Sequence, residues 1–232
     1  MHLLILDGQH VAAELRQKFG PGHRYTFVPE ADGRLVDDAE AALPLLDEAL
    51  PTADVVFDFG NYGPLYEERA GLVVFAEAAT ESLASRFGGP HRPSYPVFGF
   101  CGLPTLLNRP LLEVSLLDPA AADQLRETCA HLGTDFRVVE DRVGLVTPRV
   151  VCMIINEACF TVQEGTASVR DIDLAMKLGT SYPRGPFEWA NALGVARVYE
   201  VLAALWEDTR DERYRICPLL KRMVQQQESF AL

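Results

Sequence analysis

The chain has 232 residues, 48% hydrophobic and 23% charged, enough to bury one large core or two small ones. Its 21 Lys and Arg stand against 33 Asp and Glu, and the excess is uneven: residues 1–143 hold 11 basic and 22 acidic side chains, residues 144–232 hold 10 and 11. Neither half offers the basic face that nucleic-acid phosphates require, so nucleic acid is excluded as a partner.

The opening MHLLILDGQ carries no basic leader, and its apolar run stops at Asp7. No apolar stretch approaches the ~20 residues of a membrane span, so a soluble, cytoplasmic protein without membrane contact is expected. Five cysteines (Cys101, Cys129, Cys152, Cys159, Cys217) have neither paired nor metal-like spacing, which points to reduced, buried thiols and no metal site.

In chain order, HLLIL is a short apolar run suited to a buried strand. Behind it VAAELRQKF places Val11, Leu15 and Phe19 at helical spacing, and RYTFV, ended by Pro29, is a second strand. This β-α-β opening starts a nucleotide-binding fold. DDAEAALPLLDEAL reads as a helix that Pro44 kinks or starts late. ADVVFDFG and LVVFAEAATESL each carry a strand, Glu113 follows Leu111 and Leu112 on another, and Val138–Arg142 is the expected last strand and exit.

Beyond it the pattern turns helical. Ser168 with Asp171 forms a variant capping box, and Ile172, Ala175, Met176 and then Gly179 describe a short helix stopped by glycine. Pro183 and Pro186 forbid helix between them, and Phe187 and Trp189 are core anchors. Apolar positions on a long helix (Val150, Ile154, Ile155, Val162) and on a closing one (Leu202, Leu205, Trp206) exceed what a small helical unit needs internally, which predicts a homodimer through these faces. The fold class expected is a trimmed Rossmann-like α/β domain over residues 1–143, followed by an all-α domain over residues 144–232.

Arg149 to Val224, with DIDLAMKLG leading into SYPRGPFEWAN, resembles the C-terminal domain of the 3-hydroxyacyl-CoA dehydrogenases. The resemblance implies an NAD-binding first domain and a dimerising helical domain that helps cover acyl-CoA. It also exposes departures. Where the family's first turn reads G-x-G-x-x-G, Asp7 and Gln9 replace two glycines and only Ala12 suits the third place. The glycines let backbone N–H groups approach a pyrophosphate, which a carboxylate at Asp7 would repel. Glu30 lies near where an acid would hold ribose hydroxyls, and the chain between Gly60 and Leu72 leaves little room for the family's crossover helix.

The family's acid/base pair is a His in "GMHFFNP" and a Glu twelve residues on in "LVEV". Here Glu113 holds the second place and Cys101 the first. A thiol of pKa about 8.5 does not replace an imidazole of about 6.5 as proton shuttle. The family's Asn in "GFIVNR" falls at Pro148, and its Ser in "NTSSL" falls near Glu81 or Ser82. None of His2, His10, His23, His91 and His131 is spaced to activate Cys101, which reads as a structural thiol, whereas Glu113 is either a strand-edge residue or a relic of the site. Two functions follow as expectations. One is a non-catalytic homologue without cofactor, binding acyl-CoA, scaffolding or regulating. The other is an active NAD-dependent 3-hydroxyacyl-CoA dehydrogenase.

Overall fold

A computed structural model describes residues 1–29, 44–60, 69, 71–90 and 92–232. Glu30, His91, the first part of the expected 37–50 helix and most of the stretch between Gly60 and Leu72 lie outside the described residues. The chain divides into a sheet unit, Met1–Gly102 with Leu106–Leu145, and a helical unit, Val146–Leu232 with Leu103–Thr105.

The sheet unit holds seven strands: β1 (His2–Leu6), β2 (Arg24–Val28), β3 (Val55–Asp58), β4 (Val73–Glu77), β5 (Val97–Phe100), β6 (Leu111–Leu116) and β7 (Asp135–Val138). Their order is β2-β1-β3-β4-β5-β6-β7, with β1 to β5 mutually parallel and β6 and β7 running the other way. Successive side chains of a strand leave opposite faces, so an unbroken apolar run needs both faces covered. Leu3 and Ile5 join one core cluster with Val55, Phe57 and Phe75, while Leu4 and Leu6 join another with Val56 and Val74. Helix α1 (Ala12–Phe19) and helix α4 (Ala122–Leu132) cover the first face through Leu15, Phe19, Leu125 and Leu132. The helical residues 44–49 (α2) and helix α3 (Leu83–Phe87) cover the second through Leu46, Ala49, Leu83 and Phe87. The expected last strand is corrected: β7 ends at Val138, and only the Val139 N–H continues the ladder, donating to the Val114 carbonyl at 2.9 Å. As an edge strand β7 is mostly exposed, so it lacks the apolar run that marks its neighbours.

The helical unit consists of α5 (Thr147–Gln163), α6 (Val169–Gly179), α7 (Pro186–Leu193), α8 (Val195–Thr209) and α9 (Pro218–Gln226). Its most recognisable stretch is a joint between α6 and α7. Asp173, buried on α6, accepts the N–H groups of Phe187 at 2.8 Å and Glu188 at 2.9 Å, satisfying two donors that the start of α7 leaves without helical partners. A Cβ at Gly185 would collide with that carboxylate, which is why glycine stands there. Pro186 opens α7, where a missing N–H costs nothing. Glu188 accepts the Gly185 N–H at 3.0 Å and pairs with Lys177; that pairing and the backbone bond hold its carboxyl below the usual range. Ser168 caps α6 as expected, its Oγ accepting the Asp171 N–H at 3.2 Å. Helix α6 runs through Gly179, and the left-handed residue that turns the chain out is Ser181 (φ 57), two positions later.

The core of this unit changes the interface expectation. Ile155, Leu202 and Leu205 are fully buried within it, so they pack helix on helix rather than offering a surface to a partner. Buried amides tie its ends: Asn156 accepts the Cys217 N–H at 2.9 Å and donates to the Arg215 carbonyl, and Asn191 makes the same two-way clamp on Phe230.

Candidate active site

In an open parallel sheet the ligand crevice lies beyond the carboxyl ends of the strands where the strand order reverses. Here that is the rim between β1 and β3. Asp7 follows β1 in a left-handed conformation (φ 56), its N–H donating to the Val28 carbonyl at 2.9 Å. Gly8 then leads through one short turn into α1. Across the reversal, the Phe59 N–H donates to the Leu6 carbonyl at 3.0 Å, which sets its half-buried ring at the rim. A Cβ added at Gly8 would lie 2.8 Å from that ring and one at Gly102 2.6 Å, so the ring rests on both backbone segments. His10 and Phe100 meet it edge-on, with centroids 5.5 and 5.2 Å away.

The other rim groups are acidic or committed to the chain. Glu77, at the end of β4, accepts the N–H groups of Ala79 at 3.0 Å and Gly102 at 3.4 Å. Asp58, at the end of β3, forms a buried ion pair with Arg86. Asp141 accepts the Leu83 and Ala84 N–H groups at 2.9 and 2.8 Å, so the start of α3 is already filled by a carboxylate. A dinucleotide pyrophosphate needs bare backbone donors close to a glycine turn. The β1–α1 turn does not fit one, because the Phe59 ring lies against Gly8 and Asp7 sets a carboxylate-bearing residue where the turn begins.

Of the sequence candidates, Cys101 and Glu113 come together. Phe100 pairs with Val114 in the antiparallel β5–β6 ladder, and the same register one step on sets buried Cys101 opposite Glu113 where the ladder ends. Ser82 serves α3 as its N-cap, Oγ accepting the Ser85 N–H at 3.1 Å. Pro148 belongs to the helical unit, buried in the first turn of α5. All five cysteines are buried and reduced, and burial pushes the Cys152 and Cys159 thiols up to about 12 and Cys129 up to about 11, which keeps them protonated and inert. Among the described residues no group of His, Cys, Asp or Glu could hold a metal ion, and no helix is long and apolar enough to cross a membrane. Phe59 and Glu77 were not singled out from the sequence; an aromatic directly behind the VVFD strand was the available signal.

The helical unit carries a separate feature. An apolar groove of about 880 Å³ runs between α5 and α6, lined by Val150, Met153, Ile154, Ala158, Ala175 and Met176 among others. Elsewhere on α6 the side chains of Leu174 and Leu178, which do not line the groove, are 52% and 76% exposed.

Residues 144–229 match the family model described as 3-hydroxyacyl-CoA dehydrogenase, C-terminal domain. These residues thus form a C-terminal domain of the 3-hydroxyacyl-CoA dehydrogenase family. It is 32% identical over 159 residues to a 3-hydroxybutyryl-CoA dehydrogenase of Bradyrhizobium diazoefficiens, a match covering 66% of this chain and 53% of that protein. With the 3-hydroxyadipyl-CoA dehydrogenase of Escherichia coli it shares 45% identity over 84 residues, 36% of this chain and 18% of that one. The chain thus spans about half the length of the first of these curated relatives and less of the second. The solved structure of M. tuberculosis FadB2 superposes with a TM-score of 0.72 at 19% identity, covering 99% of this chain and 98% of that one, which establishes the fold. The family model thus covers the helical unit, with the α6–α7 joint inside it, while Cys101 and Phe59 lie outside the matched residues.

Proposed function

We propose that this chain is a member of the family that does not carry out hydride transfer. In this reading it takes no NAD and acts on acyl-CoA metabolism by binding, scaffolding or regulation. The observation that carries the reading is Phe59, whose ring occupies the rim between Gly8 and Gly102 where a dinucleotide would need backbone contact. Cys101 in the family's His place supports it, since a buried thiol is a poor substitute for an imidazole that polarises a carbonyl and shuttles a proton. The test is a fluorescence titration with NADH. No binding below millimolar concentration is expected, and micromolar affinity would overturn the proposal.

A second reading, an active NAD-dependent 3-hydroxyacyl-CoA dehydrogenase, is favoured by Glu113 at the end of the β5–β6 ladder opposite Cys101 and by the names of the relatives. Oxidation of 3-hydroxybutyryl-CoA separates the two: a turnover above about one per second, abolished in Glu113→Gln, would establish the second.

The homodimer belongs to the same proposal, with its contact surface moved. Exposed apolar side chains of the helical unit include Val150, at the α5–α6 groove, and Leu174 and Leu178 on α6, and two copies meeting over them would bury side chains that otherwise face water. Stable homodimers commonly bury about 2,000 Å² or more. Val150→Asp or Leu178→Asp should give a folded monomer by light scattering, and a wild-type monomer at micromolar concentration would rule the interface out.

A further inference from the structure

A second recess, in the sheet unit, has no place in the function proposed above. Gln17 and Lys18 near the end of α1, Asn108 to Pro110 ahead of β6, and Gly133 and Thr134 behind α4 enclose a cleft of about 330 Å³. That lies at the small end of ligand pockets, which run from about 300 to 1,000 Å³. Its two charged lining residues are both basic, in a half of the chain where acids outnumber bases two to one and Lys18 is the sole lysine.

Neither cation forms an ion pair among the described residues. The Lys18 ammonium donates to the Arg109 carbonyl at 2.6 Å, a contact across 91 positions that brings both residues to one cleft. The nearby carboxylate, Glu14, is engaged with the Asn108 N–H at 3.3 Å. Burial holds the Lys18 pKa below its ordinary value, the direction expected of an ammonium that has lost water without gaining a counter-charge. An anion in the cleft would supply Lys18 with the counter-charge it lacks and would face the Arg109 guanidinium as well. Gln17, Asn108 and Thr134 add neutral hydrogen-bonding side chains around it.

We propose that this cleft binds a phosphate group, with Lys18 as a point charge and Arg109 as a planar donor fork. The proposal stands independently of whether the chain uses NAD.

Calorimetric titration of the full chain at low salt, with inorganic phosphate and with AMP, tests it. Saturable binding at millimolar ligand is expected for the wild type, weakened about tenfold in Lys18→Met and in Arg109→Gln, the cost of one hydrogen bond to a charged group. The same ligands should raise the melting temperature of the wild type and not of the variants. AMP binding more tightly than phosphate would identify a phosphate ester as the ligand, and equal affinity would identify the free ion; either result upholds the cleft. Absence of saturable binding, or unchanged affinity in a variant that melts cooperatively, would overturn it. Should Lys18→Met fail to fold, Arg109→Gln alone decides, since its side chain makes no internal bond to lose among the described residues.

Discussion

The α6–α7 joint and the rim of the sheet are built from the same device, a carboxylate set on backbone N–H groups, and the two uses have opposite meanings for function. In the joint, Asp173 holds Phe187 and Glu188, Glu188 holds Gly185, and Gly185 is small so that Asp173 can approach. Each residue is required by another, so the sequence of the joint stays recognisable with no ligand involved. At the rim, Glu77 and Asp141 occupy N–H groups at strand and helix ends, and Phe59 covers the turn. There the device competes with any ligand for the same donors. Likeness to a family can therefore rest on residues that serve packing, and family membership alone is a weak guide to activity.

The comparison breaks first, and most visibly, at Asp58. If the rim is a closed structural element, removing the cation from its buried pair should cost about 3–5 kcal/mol, because Asp58 would be left charged without its main partner. Arg86→Met should therefore lower the denaturation midpoint strongly. A loss below about 1 kcal/mol would mean that water reaches Asp58 and that the rim is open after all.

The joint yields a sharper test with a smaller effect. Gly185 has φ −70, a conformation any residue adopts, so Gly185→Ala carries no backbone strain and its penalty is purely the collision with Asp173. A cost of about 1–3 kcal/mol is expected for such overpacking. In an Asp173→Ala background, itself destabilised by two unsatisfied N–H groups, the same change should be nearly neutral. A double-mutant cycle reads this directly, and additive costs would show that Gly185 is needed for some reason other than Asp173.

The parts legible in the sequence were those written by local pattern. The runs HLLIL, RYTFV, VVFD and VVFAE became β1 to β4, and the Ser168 cap and the Pro186 start fell where their chemistry placed them. Edge strand β7 was misplaced because it is only four residues long and Phe136 and Val138 alternate with Asp135 and Arg137, so it offers no continuous apolar run. Periodicity identified Ile155 and Leu202 as apolar but could not say which helix they face; α5 and α8 are each other's partners, so these residues close the core, and exposed apolar side chains include Val150 at the α5–α6 groove. Of the site, spacing and family motif singled out Cys101 and Glu113, and the β5–β6 register adds that the two positions follow the last ladder pair, Phe100 with Val114. The plug was not legible, since Phe59 reads as one more core aromatic until the reversal between β1 and β3 brings it onto Gly8. The cleft of Lys18 and Arg109 joins positions 91 apart and leaves no local trace.

The smallest expected effect concerns the opposite edge of the same sheet, where β1 begins, and it separates a rim closed by carboxylates from an edge held by a neutral ring. His2 is buried there, with Nδ1 2.9 Å from Thr52 Oγ1 and Nε2 2.9 Å from Thr26 Oγ1. Thr52 already donates to the Ala49 carbonyl at 3.2 Å, so its oxygen accepts from His2 Nδ1–H, and Nε2 must be the unprotonated nitrogen that accepts from Thr26. Protonating Nε2 would force the Thr26 hydroxyl to turn from donor to acceptor and place a charge out of water, and burial is the main cause that lowers the His2 pKa. Because the folded value lies below the unfolded one of about 6.5, the unfolded chain binds more protons as the pH falls. The stability from neutral His2 is thus fully present above about pH 6.5 and is lost as the pH drops through the folded value. His23, also lowered by burial, adds a change of the same sign, so His2→Gln should flatten the decline of melting temperature between pH 7 and pH 5 without abolishing it. An unchanged slope in that variant would mean that His2 is already solvated in the folded chain, and that the edge opposite the rim is held by its strands alone.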